Sequence, residues 1–304
     1  MATARPEQIV STFGGGEVAG RQRNLWADAG RRMLRNRLAV VGLVIVGVFI
    51  VVAVFAPLIG RYDPYSYQNY DALNQAPSLQ HLFGTDQLGH DNFSRVVVGL
   101  RVSLTVGFSV AAIILVVGVC VGSAAALGGS VTDNVVMRIT DVAYAFPDLL
   151  LIILIWATFG GGLAQTIVAI AAVAWTTVAR LVRGQMLSLK QTDYVLSART
   201  LGASQFRIVG LHILPNTLGP VIVALTFAIP SAIFAEAALT FIGAGLPPPT
   251  ASLGRLINDG YSLVQVNAWI VFFPAIAIGL LMLSFTFVGD GLRDALDPRT
   301  RGVG

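Results

Sequence analysis

Charged side chains are scarce in this sequence. Only 12% of its 304 residues are Asp, Glu, Lys or Arg, while 55% are hydrophobic and the mean hydropathy is +0.74. Soluble domains carry about 25% charged residues, so 20 basic and 16 acidic side chains are too few to cover a chain of this length in water. This composition excludes a water-soluble globular protein. It also excludes a disordered chain, which combines low hydrophobicity with high charge.

Cysteine and histidine are nearly absent as well. The single cysteine, Cys120, cannot form an intramolecular disulfide, and the apolar run around it predicts a buried structural thiol. His81, His90 and His212 are scattered without metal-ligand spacing, and no phosphate-binding glycine motif with its lysine occurs. No paired catalytic residues stand within the apolar runs. We therefore expect no metal site, no nucleotide site and no catalytic centre on this chain, which argues against an intramembrane enzyme.

Long apolar runs are what the sequence does contain. A membrane accepts only helices or closed barrels, and barrel strands alternate apolar and polar residues, which these uninterrupted runs do not. Phe159-Gly160-Gly161-Gly162 divides one run that is too long for a single helix, and Gly118 and Gly122 are spaced for close helix packing. The sequence thus predicts an all-α polytopic membrane protein. Its six predicted spans are 38–60, a second within 102–128, 137–159, 163–182, and two more within 218–243 and 268–288.

Basic residues predict how the chain is oriented. Six arginines lie between residues 21 and 37, and most others fall on the same side of the six predicted spans. Because positive charge marks the cytoplasmic side, we expect both termini in the cytoplasm. The opposite side holds only four arginines, Arg61, Arg95, Arg101 and Arg255. The net charge of +4 does not indicate nucleic-acid binding, because the basic residues flank apolar runs and form no patch with aromatic platforms.

The chain is thereby divided into five predicted parts. A long extracytoplasmic loop and a cytoplasmic segment stand out among them, because ordinary connections are much shorter. The predicted parts are a cytoplasmic tail (1–37), the first span (38–60), the extracytoplasmic loop (61–100), a five-helix core (101–292) that includes the cytoplasmic segment 180–215, and a cytoplasmic tail (293–304).

The cytoplasmic segment reads as two short helices joined by a bend. Tyr194, Ala198 and Leu201 recur at i, i+4 and i+7, which is one stripe of a helix. Gly202 can adopt the left-handed conformation that ends helices, and Ser204 is a candidate N-cap for a second helix.

We expect the second helix to stop at Leu214-Pro215-Asn216, before the fifth span. Two interpretations remain open on these residues alone. The helices lie on the bilayer surface, or they form a projection that enters a groove on a cytoplasmic partner.

Residues 194–215 resemble the EAA loop of bacterial ABC-importer permeases. That pattern is Glu-Ala-Ala, three residues, Gly, nine residues, then Ile, any residue, Leu and Pro. Here Gly202 is followed by nine residues and then by His212-Ile213-Leu214-Pro215, and Ala198 matches the second Ala. The sequence departs from the pattern at Leu196, which replaces the Glu, at Ser197, which replaces the first Ala, and at His212, which replaces the Ile.

Other motifs are similar to the C-type subunit of dipeptide/oligopeptide/nickel permeases. They follow one another in order over most of the chain, which makes the resemblance specific. These motifs are Arg35-Asn36-Arg37-Leu38-Ala39, Phe83-Gly84-Thr85-Asp86-Gln87-Leu88-Gly89, Ala145-Phe146-Pro147, Glu236-Ala237 with Phe241-Ile242-Gly243, and the run from Gly289 to Arg299.

The resemblance implies a type I ABC-importer permease fold with a cytoplasmic coupling helix. It further implies a subunit of an ATP-driven importer in the bacterial inner membrane, which moves di- or oligopeptides by alternating access. Nickel or another small solute is the alternative cargo. The implied partners are a second permease subunit, ATPase subunits that bind ATP and Mg, and an extracytoplasmic substrate-binding protein. Contact with the ATPase is assigned to six residues, Tyr194, Leu196, Ala198, Leu201, Gly202 and Ser204.

Three acidic residues fall inside the predicted spans. Asp141 and Asp148 stand seven residues apart in the third span, and so on nearly one face, and Glu236 lies in the fifth. Ionisable groups at membrane depth usually face a protein interior or water. They either line a translocation path or act structurally, with Asp141 paired to Arg138, Asp148 at a water interface, and Glu236 bonded to a neighbouring helix. A self-sufficient proton-coupled transporter or channel would use the same acids, although no internal repeat is visible.

Overall fold

The computed structural model describes residues 25–297, whose regular structure is helical apart from one bridge between Thr85 and Asp91. Five helices are long and apolar enough to cross a membrane, and a bent pair brings the number to as many as six. The predicted all-α polytopic fold class is therefore confirmed. The helices are α1 (Leu25–Arg35), α2 (Arg37–Val54), α3 (Ala56–Ile59), α4 (Asn92–Leu127), α5 (Gly129–Ala145), α6 (Asp148–Phe159), α7 (Leu163–Leu189), α8 (Asp193–Thr200), α9 (Gln205–Ile208), α10 (Leu214–Phe241), α11 (Leu253–Tyr261) and α12 (Trp269–Leu296).

The first span, α2, is an addition to the bundle that lies along α12. Asn36 caps it, because its Oδ1 accepts the backbone N–H groups of Leu38 and Ala39 at 3.1 and 3.3 Å. Close approach to α12 depends on Gly42, where a Cβ would come within 2.6 Å of the Ser284 carbonyl oxygen. Helices in lipid associate by such backbone-level packing, because the apolar tails supply little driving force between them.

The longest helix, α4, begins earlier than the sequence indicated. Asp91 caps it by accepting the backbone N–H of Ser94 at 2.8 Å, and the helix then continues for 36 residues. The loop predicted for 61–100 therefore ends at residue 91, and its remainder is helical. Further along, Gly118 and Gly122 lie directly against α7, as their spacing predicted, since a Cβ at Gly118 would approach Val178 to 2.7 Å.

The predicted third span, 137–159, is wrong as a single helix. It is instead the end of α5 and the whole of α6, which are bent by 91° relative to each other. Phe146 between them is extended, with φ −78° and ψ 141°. The cause is Pro147, whose ring excludes the helical conformation at the preceding residue. The predicted break at Gly160-Gly161-Gly162 is present, because α6 ends at Phe159 and α7 begins at Leu163.

The first ten residues of the predicted cytoplasmic segment 180–215 continue α7, which ends at Leu189. The predicted stop at 214–216 is wrong. A π-helical turn, Val209–Ile213, joins α9 to α10 without a loop. Pro215, which has no backbone N–H, lies in the first turn of α10, directly after the π-helical turn.

The loop 61–91 and α11 meet at one end of the bundle, which we call the outer end. The buried guanidinium of Arg95, on the first turn of α4, bonds Asp86 of the loop at 2.7 Å and Asp259 of α11 at 3.2 Å. His90 Nδ1 lies 2.7 Å from the same Asp86 carboxylate, which extends the network through the loop. The opposite end, called the inner end, carries α8 and α9.

Candidate coupling site and translocation path

The projection at the inner end consists of α8, the Gly202 bend and α9, and we call it the knob. Two of its side chains, Val195 and Ile208, fix it to the bundle. They are almost fully buried in the core shared by α4, α7 and α10, as is Ile213 of the π-helical turn that follows. Val195 was not among the predicted site residues, although it sits between two of them, Tyr194 and Leu196. Its β-branched, apolar character is the signal that was available.

The bend itself follows from Gly202. This residue has φ +81°, its N–H bonds the Arg199 carbonyl at 3.0 Å, and the next N–H, of Ala203, bonds the Ala198 carbonyl at 3.1 Å. That pair of bonds is a Schellman motif, which favours glycine at the left-handed position. Ser204 then caps α9, as predicted, by accepting the N–H of Arg207 at 3.4 Å.

The tip of the knob is apolar and uncovered in the isolated chain. Leu201 is 87% exposed and Phe206 is 92% exposed, whereas Tyr194 and Leu196 are about half as exposed, at 44% and 45%. Ala198 points toward the bundle and packs on its core, so it does not share the exposed face. Phe206 was not among the predicted site residues. Its place two residues after the Ser204 cap, on a helix too short to bury it, is a signal the sequence contains.

A lysine joins the base of the knob to α4. The Nζ of Lys190, just after α7, donates a hydrogen bond to the Ala126 carbonyl near the end of α4. Burial lowers the pKa of Lys190, and the nearby positive charge of Arg199 lowers it further, while Asp133 opposes both. The ends of α4 and α7 are thereby tied together next to the knob.

Glu236 lies fully buried where three elements meet. Its carboxylate accepts the hydroxyl of Ser103 on α4 and that of Thr240 on its own helix, each at 3.0 Å. Ser252, which caps α11, is fully buried as well. In this conformation the carboxylate joins α4 to α10 and has no exposed surface.

Asp141 and Asp148 do not share one helical face, because the α5–α6 bend separates them. Asp141 bonds Arg180 of α7 at 2.9 Å, so the expected pairing with Arg138 is wrong. Asp148 is exposed in the first turn of α6, where a negative charge is favourable. The three acids therefore stand on three helices, α5, α6 and α10.

One ion pair was not anticipated from the sequence, and one prediction about burial was wrong for the isolated chain. Arg183 of α7 forms a bidentate ion pair with Asp133 of α5, partly buried at the inner end. Cys120, expected to be buried, lies on an exposed face of α4 in the isolated chain. Within residues 25–297, no group of three His, Cys, Asp or Glu side chains is arranged to hold a metal ion.

Two families match this sequence in separate regions. Residues 24–77 match the N-terminal transmembrane domain of oligopeptide transport permease C. Residues 115–302 match the binding-protein-dependent transport system inner membrane component family. The chain is a permease of this family. The resemblance inferred from the knob sequence and the flanking motifs is thereby confirmed.

Relatives of the permease match it over nearly their full length. It is 44% identical over 285 residues to the oligopeptide transport system permease protein OppC of Bacillus subtilis (strain 168), covering 94% of this chain and 93% of the relative. It is 44% identical to the dipeptide transport system permease protein DppC of the same organism, over 90% and 86% of the two chains. A glutathione transport system permease protein, GsiD of Escherichia coli O6:K15:H31, is 42% identical over 92% of both chains.

Solved structures support the fold of the permease. A subunit of the MetNI methionine ABC transporter, in an inward-facing conformation, matches with a TM-score of 0.56 at 22% identity, covering 67% of this chain and 97% of the other. An amino acid ABC transporter matches with a TM-score of 0.53 at 18% identity, over 65% and 92% of the chains.

Proposed function

We propose that this permease is a subunit of an ATP-driven importer that moves di- or oligopeptides into the cell by alternating access. The observation that carries the proposal is the 44% identity, over 94% and 90% of this chain, to permeases named for oligopeptide and dipeptide transport. The permease would sit in the bacterial inner membrane, with both termini in the cytoplasm. Its arginine distribution supports that orientation.

The knob would dock on an ATPase subunit, which binds ATP and Mg and hydrolyses the nucleotide. Leu201 and Phe206 are large apolar side chains that the isolated chain leaves uncovered at the inner end. Burying each against a partner would stabilise the complex by roughly 1.5–3 kcal/mol. Tyr194 and Leu196 would form the adjoining part of this contact, while Gly202 and Ser204 set its shape and Ala198 supports it from behind.

Movement of the ATPase would reach the membrane through continuous helix. The π-helical turn Val209–Ile213 joins the knob directly to α10, and only three residues separate α7 from α8. A displaced knob would therefore tilt α7 and α10 together. A second permease subunit would supply the other wall of the path.

The acidic residues would take different parts in that path. Asp141 and Asp148 are exposed in the isolated chain and would line it, where a peptide amino group can meet them. Glu236 is closed off by α4 and α11 and would reach the path only if those helices separate. The loop 61–91 and α11, which share the outer end, would receive an extracytoplasmic substrate-binding protein.

Retention of the ATPase on purified permease tests the docking step. Leu201→Asn and Phe206→Asn should each release the ATPase, whereas Leu79→Asn, which changes a side chain of similar exposure (90%) at the outer end, should not. Leu196→Glu should be tolerated and Leu196→Lys should weaken the complex. Wild-type retention should survive about 0.5 M salt, where screening shortens charge interactions to a few ångströms. Collapse at that salt would refute an apolar contact.

Uptake by cells that lack the chain tests the cargo. Restoring the permease should restore uptake of a labelled dipeptide and leave labelled nickel uptake unchanged. Restoration of nickel uptake alone would overturn the peptide assignment while leaving the docking result intact.

A further inference from the structure

The outer end contains a crevice of about 640 Å³. It opens between the end of the first span and the side of α4, and we call it the outer crevice. Ala56 and Pro57 of α3 form one wall, and Val98 and Val102 of α4 form the other. Its interior is thus mainly apolar.

Two arginines stand at the crevice, Arg61 and Arg101. Arg101 directly precedes the charge-free run of α4, and Arg61 follows the apolar residues of α2 and α3. A hydrocarbon core needs about 20 helical residues to cross, so both guanidinium groups come at the level of the lipid headgroups. Tyr62 and Tyr65 line the crevice beside them, and tyrosine is typical of this interface.

The positive charge of the crevice is only partly balanced. Arg95 and Arg255, the other two outer arginines, bond carboxylates, but Arg101 forms no side-chain hydrogen bond or ion pair with any residue between 25 and 297. The Nη1 group of Arg61 donates a hydrogen bond to the Leu79 carbonyl at 2.7 Å. The other N–H groups of this guanidinium remain available as donors.

Between residues 25 and 297, Asp63 is the one acidic residue that lines the crevice, and its carboxylate is already hydrogen-bonded to the loop backbone. Asp63 Oδ1 accepts the N–H groups of Tyr65 and Ser66 at 2.8 Å each. These bonds lower the pKa of the Asp63 carboxyl, so it stays charged. Two guanidinium groups against one carboxylate leave a net positive charge.

We propose that the outer crevice binds an anionic phospholipid of the outer leaflet. Arg61 and Arg101 hold its phosphate, and one acyl chain lies along Val102 and Pro57 toward the membrane interior. Cationic groups at headgroup level above an apolar wall match the two parts of a phospholipid, whereas a free anion would use only the first. The lipid joins the first span to α4 at the outer end.

Native mass spectrometry of the purified full chain tests this proposal with phosphatidylglycerol and phosphatidylcholine of identical acyl chains. Phosphatidylglycerol should bind more tightly. Arg61→Gln and Arg101→Gln should each weaken its binding about fivefold, and the double variant about 25-fold. Arg138→Gln, which removes an exposed arginine of α5 outside the crevice, is the matched control and should leave binding unchanged. Equal binding of both lipids, or an equal loss in the control, would overturn the proposal.

A substitution that enlarges one apolar side chain tests the acyl-chain site independently of charge. Val102→Trp fills the apolar wall on the membrane side of Arg101, retains both arginines, and should lower phosphatidylglycerol binding while the protein stays monodisperse. Unchanged binding would contradict the proposed acyl-chain site. Millimolar inorganic phosphate should not displace the lipid; displacement would reveal an anion site only. Displacement by a dipeptide would assign the crevice to the transport route and refute a lipid site.

Discussion

Gly202 determines the shape of the knob by its backbone conformation alone. It has φ +81°, and no atom lies within 4 Å of the position that a Cβ would take. A side chain there would meet no steric clash, so any cost arises from the left-handed backbone. Because steric clash does not contribute at this position, a substitution there tests the backbone conformation by itself.

Gly202→Ala should destabilise the protein by roughly 1–2 kcal/mol, because an L-residue is strained in the left-handed region. Gly184→Ala is the matched control: Gly184 lies inside α7 and also has open space around it, but its φ is not positive. Alanine should be neutral or stabilising there, by about 0.5–1 kcal/mol. The measurement is the thermal unfolding midpoint of each purified variant. Equal effects at the two positions would contradict a role for backbone conformation.

Glu236 shows how a single buried carboxylate connects helices. Removing one of its donors leaves polar atoms without a partner in an apolar setting, which costs roughly 1–3 kcal/mol. Ser103→Ala should therefore lower the unfolding midpoint. Ser231→Ala should not, because the exposed Ser231 hydroxyl bonds only the Phe227 carbonyl of its own helix. If both serines behave alike, the carboxylate does not hold α4 to α10.

The bent pair α5–α6 is the element that departs most from a simple bundle. Its 91° bend leaves α6 with 12 residues, which reach about 18 Å at 1.5 Å per residue. That is less than the roughly 30 Å of hydrocarbon that a span must cross, so α6 cannot form a span by itself. Helix α5 must complete the span, and it must therefore be held in position beside α6. Two ion pairs to α7 do this, Asp133 with Arg183 and Asp141 with Arg180.

These two ion pairs should contribute unequally. Asp133 bonds Arg183 through both oxygens and its side chain is 22% exposed, whereas Asp141 makes one contact and is 57% exposed. Asp133→Asn should cost roughly 1.5–3 kcal/mol. Asp141→Asn, an isosteric change on the same helix, should cost about 0–1 kcal/mol. Unfolding midpoints at two salt concentrations provide the measurement, and a larger loss at Asp141 would reverse the assignment.

At the scale of the whole molecule, the outer and inner ends are built differently. The outer end is closed by the buried network around Arg95, which joins the loop, α4 and α11. The inner end exposes the apolar tip of the knob. The proposed docking of an ATPase at the knob depends on this exposed tip.

Thiol labelling in intact cells checks which end faces outward. In a Cys120→Ala background, Leu79→Cys at the outer end should react with an impermeant reagent. Phe206→Cys at the knob should react only after lysis. The two native side chains are matched in exposure, at 90% and 92%, so access to solvent within the protein does not distinguish them. The reverse labelling pattern would invert the proposed topology.

The apolar pattern and the turn residues of the sequence determined much of this protein by themselves. They predicted the helical membrane fold, the break at Gly160-Gly161-Gly162, the close contact at Gly118 and Gly122, the bend at Gly202 and the cap at Ser204. Each depends on the residue and its near neighbours. Local rules were therefore sufficient to predict these features, and the ordered motifs identified the family.

Tertiary structure decided what local rules leave open. The sequence contains Pro147, but only packing on α7 sets the direction in which α6 leaves the bend. The partner of Asp141 is Arg180, which lies 39 positions away along the chain. The hydrogen bond between Glu236 and Ser103 joins residues that are 133 positions apart in the sequence. Val195 is buried because the core of the bundle packs against it. Contacts between distant segments depend on how whole helices cross, and no pattern within one helix encodes that geometry.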